Sequence, residues 1–258
     1  IKNKILNNKN KIKLNENSEL HIIDYTINES KFKFFNNVYE NIILEKNSKL
    51  KNICIQSNKS DGLFHKFLNN KLSLNSEYLN LIFSSGLRFN KLDIEADLVG
   101  ENSKCNILSA LFLNKNEHQE IKTRINHLSP NCKSYQRVKN VLSEKSKGIF
   151  QGKIYVKDIA QKTDAYQLSK ALLICDDAEF NSKPELEIYA DDVKCSHGST
   201  SGNIDEDSLH YLMTRGLNRE NSIKLLIKGF LSDVIEFIKN PSIKKFVENK
   251  LEEQVNGY

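Results

Sequence analysis

The chain has 258 residues, of which 39% are hydrophobic and 28% charged, with a net charge of +5 from 38 Lys and Arg against 33 Asp and Glu. That is enough chain for one large buried core with an appendage, and the basic residues are scattered rather than gathered into the clustered stripe that nucleic acid requires. No run approaches the ~20 apolar residues needed to cross a bilayer, so the expected partners are neither nucleic acid nor membrane.

The opening "IKNKILNNKNKIK" lacks the apolar centre of a signal peptide, and a start at Ile1 rather than Met reads as a trimmed chain. The five cysteines, at 54, 105, 132, 175 and 195, are odd in number, widely spaced and form no Cys-x-x-Cys. They read as reduced thiols in a cytosol-like compartment. Those in "NICIQ", "KCNIL" and "LLICDD" sit in apolar runs and read as small buried hydrophobes.

A loose repeat then runs along the chain: "NSEL" at Asn17, "NSKL" at Asn47, "NSEY" at Asn75, "NSKC" at Asn102 and "NCKS" at Asn131, in steps of 30, 28, 27 and 29 residues. Each precedes a short apolar run such as "LKNICIQ", "YLNLIFSSG" or "CNILSALFL". Asn tolerates left-handed turn geometry, and the apolar runs suit strands. A step near ~30 residues with short strands points to stacked coils, because one coil cannot cover its own apolar face while a stack builds a continuous core. A β-sandwich is the competing architecture. The strands continue through "GIFQGKIYVKD" and "PELEIYADDVKCSHG", with alternation at Leu186, Ile188 and Ala190. Gln161, Lys162, Thr163, Asp164 and Gln167 form a polar stretch that reads either as a polar ladder over the sheet or, by default, as a solvated face.

Beyond Gly202 the period becomes helical, which divides the chain into a coil over residues 1–202 and a helical region over 203–258. Asp205 caps a short helix with Leu209, Leu212 and Met213 on one face, ended by Gly216. Asn218 caps a longer one from Arg219 to Lys239, whose Ile223, Leu226, Ile227, Phe230, Leu231, Val234, Ile235 and Ile238 keep helical spacing. That face either packs on its neighbours or docks a partner. Asn240-Pro241 ends this helix and starts a third.

The chemistry concentrates in "YADDVKCSHGST", residues 189–200. On a strand, Cys195 and His197 project from one face, and thiolate and imidazole are both ligands for zinc or iron. Two ligands do not complete a site that normally takes four, so a metal would need another chain. The rival readings are a Cys-His nucleophile pair and a buried thiol beside a surface imidazole. Asp191 and Asp192 are turn formers or neighbours that act on the imidazole.

The run from Gly148 to Leu217, and above all "KPELEIYADDVKCSHG" leading into "IDEDSLHYLMTRGL", resembles the SufB/SufD family of iron–sulfur cluster assembly proteins. The likeness is dense from about His127 to Leu217, while the first ~120 residues match only in style. The helical region that usually precedes the family's coil has no match, in keeping with a trimmed start. Gly198, where the SufB branch carries Glu, is similar to the SufD branch. The resemblance implies a right-handed parallel β-helix followed by a small helical region, acting as a non-catalytic subunit. It implies pairing with a SufB-like subunit, with His197 and Cys195 facing the interface where a nascent cluster forms. It also implies a SufC-like ATPase docking on the C-terminal helices through Ile223, Leu226, Ile227, Phe230, Leu231 and Val234. No Gly-rich phosphate loop occurs, so ATP belongs to a partner. Iron or a cluster is expected only transiently at the interface, with none tightly held by the isolated chain. The implied location is the cytoplasm, or the plastid stroma if organellar. A homodimeric scaffold and a β-helix enzyme acting on polysaccharide are the alternatives.

Overall fold

The computed structural model describes residues 4–26 and 33–256. Its strands are β1 (Lys4–Leu14), β2 (Glu19–Thr26), β3 (Phe34–Leu44), β4 (Lys49–Leu72), β5 (Glu77–Leu98), β6 (Lys104–Leu113), β7 (His118–His127), β8 (Lys133–Leu142), β9 (Lys147–Val156), β10 (Thr163–Leu173), β11 (Glu179–Ile188) and β12 (Val193–Asn203). Three helices follow: α1 (Glu206–Thr214), α2 (Arg219–Ile235) and α3 (Pro241–Asn256). All the strand pairings are parallel, and they build two walls. One runs β1, β3, the second half of β4, the second half of β5, β7, β9, β11. The other runs β2, the first half of β4, the first half of β5, β6, β8, β10, β12. The chain is therefore a parallel β-solenoid with two strands per coil. β4 and β5 pass from one wall to the other without a break in the ladder, turning where the register shifts between Ser57 and Leu63 and at Gly86, whose φ is 87°.

The repeated Asn is the corner residue. Asn17, Asn47, Asn75, Asn102 and Asn131 all have φ between 56° and 60°. This left-handed conformation costs most L-residues about 1–2 kcal/mol, and Asn adopts it more readily. Stacking the corners also stacks the amides: Asn47 Nδ2 donates to Asn17 Oδ1 at 2.9 Å and Asn75 Nδ2 to Asn47 Oδ1 at 3.0 Å. The hydroxyl after the corner turns inward and closes the turn, as Ser48 Oγ does on Glu45 O and Ser76 Oγ on Ser73 O, each at 2.7 Å.

Between the walls lies a core that includes Leu50, Tyr78, Ile107, Phe150 and Cys105. A second core forms outside the β6–β8 wall, where Leu81, Leu108, Ala110 and Val141 meet the helices. The caps fall where the sequence places them: Asp205 accepts from Ser208 N and Asn218 from Asn221 N. α2 ends at Ile235, one turn short of the expected Lys239, and Met213 is exposed rather than on the packed face of α1.

One expectation is corrected. Ile223, Ile227, Leu231 and Val234, assigned to an ATPase partner, are at most 5% exposed and packed on the chain's own sheet, with Leu226 and Phe230 half-buried against the same cluster. Each such burial stabilises by about 1.5–3 kcal/mol, so this face of α2 is core and not a free docking surface. The helices share this core with the wall.

A polar clamp fixes α2 from the side. Asp233 Oδ2 lies 2.8 Å from both Arg137 Nη1 and Lys139 Nζ. Lys139 Nζ also donates to Phe230 O at 2.6 Å and sits 4.6 Å over the Phe230 ring. Burial lowers the Lys139 pKa, partly opposed by Asp233. Removing the carboxylate leaves an ammonium that is only 10% exposed without its counter-ion. Asp233→Ala is expected to cost about 1–2 kcal/mol, less than the ~3–5 kcal/mol of a fully buried pair because Asp233 is partly solvated. The urea midpoint measures this, and an unchanged midpoint contradicts it.

Candidate functional site

β12 is the last strand of its wall and β11 the last of the other. Each pairs on one side only, so both leave a row of backbone donors and acceptors at the end of the coil. The register sets which way their side chains face. Ala165, Gln167 and Ser169 of β10 are buried in the lumen, and they align with Cys195, His197 and Ser199 of β12. Cys195 and His197 thus face the lumen together, on one face of one strand as the spacing predicts.

Their environments differ by depth. Cys195 is half-buried against Ile154, Val156, Ala160, Ala165 and Ala190. Burial raises its thiol pKa, Asp164 adds to this, and a hydrogen bond with the Ala165 backbone opposes it. His197 is exposed because no further coil covers it, and it makes no hydrogen bond among the described residues. This is not an assembled nucleophile–base pair, which needs a depressed thiol and an oriented imidazole. Among the described residues no group of three or more His, Cys, Asp and Glu side chains converges as a metal site.

The rest of the quoted stretch is a corner, not a continuation of the strand. β11 ends at Ile188, Ala190 is buried in the turn, and β12 starts at Val193. Asp192 N donates to Gln161 Oε1 at 2.9 Å, and Asp192 O accepts from Lys162 N at 2.5 Å. Of the two readings for this acid pair, Asp192 has the turn role. Lys162 occupies the left-handed corner position, with φ 60°, that Asn holds in earlier coils.

The polar stretch around Gln167 is a second correction. Thr163 and Gln167 are 1% and 0% exposed inside the lumen, while Asp164 lies on the outer face. Gln167 belongs to an interior column, one residue per coil: Asn52, Asn80, Ile107, Gln136, Gln167 and then His197. Hydrogen bonds link its upper part. Thr123 Oγ1 donates to Gln136 Oε1 at 2.6 Å, Gln136 Nε2 to Gln167 Oε1 at 3.4 Å, and Gln167 Nε2 to Gly152 O at 3.3 Å. Sequence reasoning missed this column, although amides recurring at the coil step are a usable signal.

The other buried groups are held neutral or paired. Burial pushes the thiols of Cys54 and Cys105 up to about 12. Lys66, facing the lumen near the other end, lies 2.9 Å from Asp24 and 3.2 Å from Glu40. His127 is fully buried with Nε2 at 2.9 Å from Ser134 Oγ, and burial pushes its pKa down to about 4. The unfolded chain titrates this group at about 6.5 and takes up the proton first as pH falls. The stability due to neutral His127 is complete above about pH 6.5 and is lost between about 6.5 and 4. Over that window the unfolding free energy of the native chain is expected to fall more steeply than that of His127→Gln, by roughly 3 kcal/mol at most. Parallel pH profiles for the two contradict this.

A family model described as "SUF system FeS cluster assembly, SufBD core domain" matches residues 2–230. The chain is 32% identical over 249 residues to the iron-sulfur cluster assembly protein SufD of Escherichia coli, covering 95% of this chain and 58% of that one. It is 30% identical over 237 residues to the chloroplastic protein ABCI7 of Arabidopsis thaliana, covering 91% and 50%. A SufBD family protein of Synechocystis is 29% identical over 211 residues, covering 82% and 47%. The chain spans about half the length of these curated relatives.

Proposed function

The chain belongs to the SufBD core family of the SUF iron–sulfur cluster assembly system, and on that premise we propose that it is a non-catalytic, SufD-like assembly subunit. Its free end pairs with a SufB-like subunit, and Cys195 and His197 contribute to the place where iron or a nascent cluster is held as cargo. A SufC-like ATPase joins the same complex and supplies the nucleotide chemistry.

One observation supports this reading above the others. A thiol and an imidazole face the lumen together on the terminal strand, where no further coil among the described residues covers them. Two ligands leave a four-coordinate site half made. The two unpaired strand edges beside them offer backbone groups that a second β-solenoid can continue. The remaining ligands then arrive with the partner. Reduced thiols suit such cargo, and the five cysteines are all free. No described helix is long and apolar enough to cross a membrane.

Mass measurement of this chain alone and mixed with a SufB-like subunit tests the pairing. A one-to-one complex with that subunit is the expected result. A chain that ignores it and pairs only with itself contradicts the proposal and favours a homodimeric scaffold.

A further inference from the structure

A column of charges climbs the outer face of the wall that ends in β12. The strand register aligns Glu19, Lys49, Glu77, Lys104, Lys133, Asp164 and Lys194, one per coil. Opposite charges on neighbouring strands about 4.8 Å apart attract, and the column uses this. Lys49 Nζ lies 3.8 Å from Glu77 Oε1, Lys104 Nζ lies 3.1 Å from the same oxygen, and Lys133 Nζ lies 3.9 Å from Asp164 Oδ2. The like-charged step from Lys104 to Lys133 is relieved because the first reaches down and the second up. At the bottom, Glu19 Oε1 is taken by Lys51 at 3.1 Å and His21 at 2.8 Å.

Lys194 is the exception. Its level is the last, the acid below it is already engaged by Lys133, and no carboxylate lies within ion-pair distance of it among the described residues. A groove of about 470 Å³ opens here, lined by Lys133, Lys162 and Lys194 against Asp164 and Asp192, so cations are in excess. The rest of the outward row on β12 is Ser196, Gly198, Thr200 and Gly202. These are small and uncharged, so a strand laid against this edge meets one charge only.

We propose that Lys194 selects the partner at the free end: the strand that continues β12 carries a carboxylate over Lys194. A second copy of this chain does not meet that requirement. Its β12 has no acid in the outward row, and the outward acids of β11, Glu179, Glu185 and Glu187, are each held by a lysine of their own chain. The inference rests on the assignment of the free end to a SufB-like subunit and names what that subunit brings to the edge besides ligands. Charge at the rim of an interface acts mainly on association rate and on the choice of partner.

The test is the association rate of this chain with a SufB-like subunit, measured by stopped-flow fluorescence at low and high salt. Lys194→Glu is expected to slow association roughly tenfold at low salt, with the deficit shrinking at high salt as the charges are screened. Lys194→Arg keeps the charge and is expected to match the native rate. Lys122→Glu makes the same change in net charge on the outer face of the opposite wall and is expected to stay within about twofold of native. Lys194 is exposed and unpaired, so the fold is expected to survive. Should Lys194→Glu fail to fold, Lys194→Gln is expected to show a deficit of roughly threefold, and a native rate there overturns the proposal. Equal rates for Lys194→Glu and Lys122→Glu also overturn it and leave the pairing itself standing. A native chain that forms no complex with the SufB-like subunit overturns the pairing and this selection with it.

Discussion

Alanine at position 100 is expected to destabilise the fold by about 3 kcal/mol or more, the upper part of the range for overpacking a filled site. Gly100 lies in the turn between β5 and β6, directly over the turn that joins β4 to β5. Val99 N and Gly100 N both donate to Leu72 O at 3.0 Å, which draws the two turns together. A Cβ at Gly100 would fall 1.9 Å from Leu74 N and 2.1 Å from Ser73 C. These are backbone atoms, so no rotamer change relieves the clash and two coils must part. For a chain of this size the loss corresponds to a fall of about 6–12 °C in Tm. Gly202→Ala is the control, since nothing lies within 4 Å of its added carbon. Equal melting temperatures for the two variants contradict the stacking described for these turns.

The second large effect is functional. His197→Ala is expected to lower the iron or cluster content of the complex with a SufB-like subunit by roughly tenfold or more, as loss of a ligand or its support does at other metal sites. The fold and the pairing are expected to survive, because the imidazole is exposed and has no hydrogen-bond partner among the described residues. Metal analysis after size separation, with the melting temperature as a check, reads both halves of the prediction. Undiminished iron in a properly assembled variant removes His197 from the site.

The coil was legible in the sequence because its corners demand a special backbone. Asn at 17, 47, 75, 102 and 131 marks five left-handed turns, and few other residues accept that conformation at so little cost. The same corner became invisible at Lys162, and the opposite one at Lys115 and Glu144, where ordinary side chains carry φ of 49° to 60°. There the surrounding ladder holds the turn, and local preference does not reveal it. The shared direction of Cys195 and His197 followed from strand alternation alone.

What alternation does not tell is which face is the inside. Gln167 reads as solvated because amides usually are, yet the amides at 136 and 167 are buried and satisfied by each other together with Thr123 and the Gly152 carbonyl. The α2 face had the opposite problem. Its spacing of apolar residues is the same whether the helix meets a partner or its own sheet, and only the outer surface of Leu81, Leu108, Ala110 and Val141 decides that it is core. The family resemblance identified the end strand but could not supply the lumen beneath it.

The proposed assembly role depends on an imidazole at the open end of the coil sharing cargo with another chain. Pulsed electron paramagnetic resonance of the reduced, cluster-loaded complex, with 15N-histidine in this chain alone, tests that directly. A hyperfine coupling from one labelled nitrogen that vanishes in His197→Ala is the result expected. A loaded cluster with no labelled nitrogen in its coordination sphere, or a coupling that persists without His197, would contradict it.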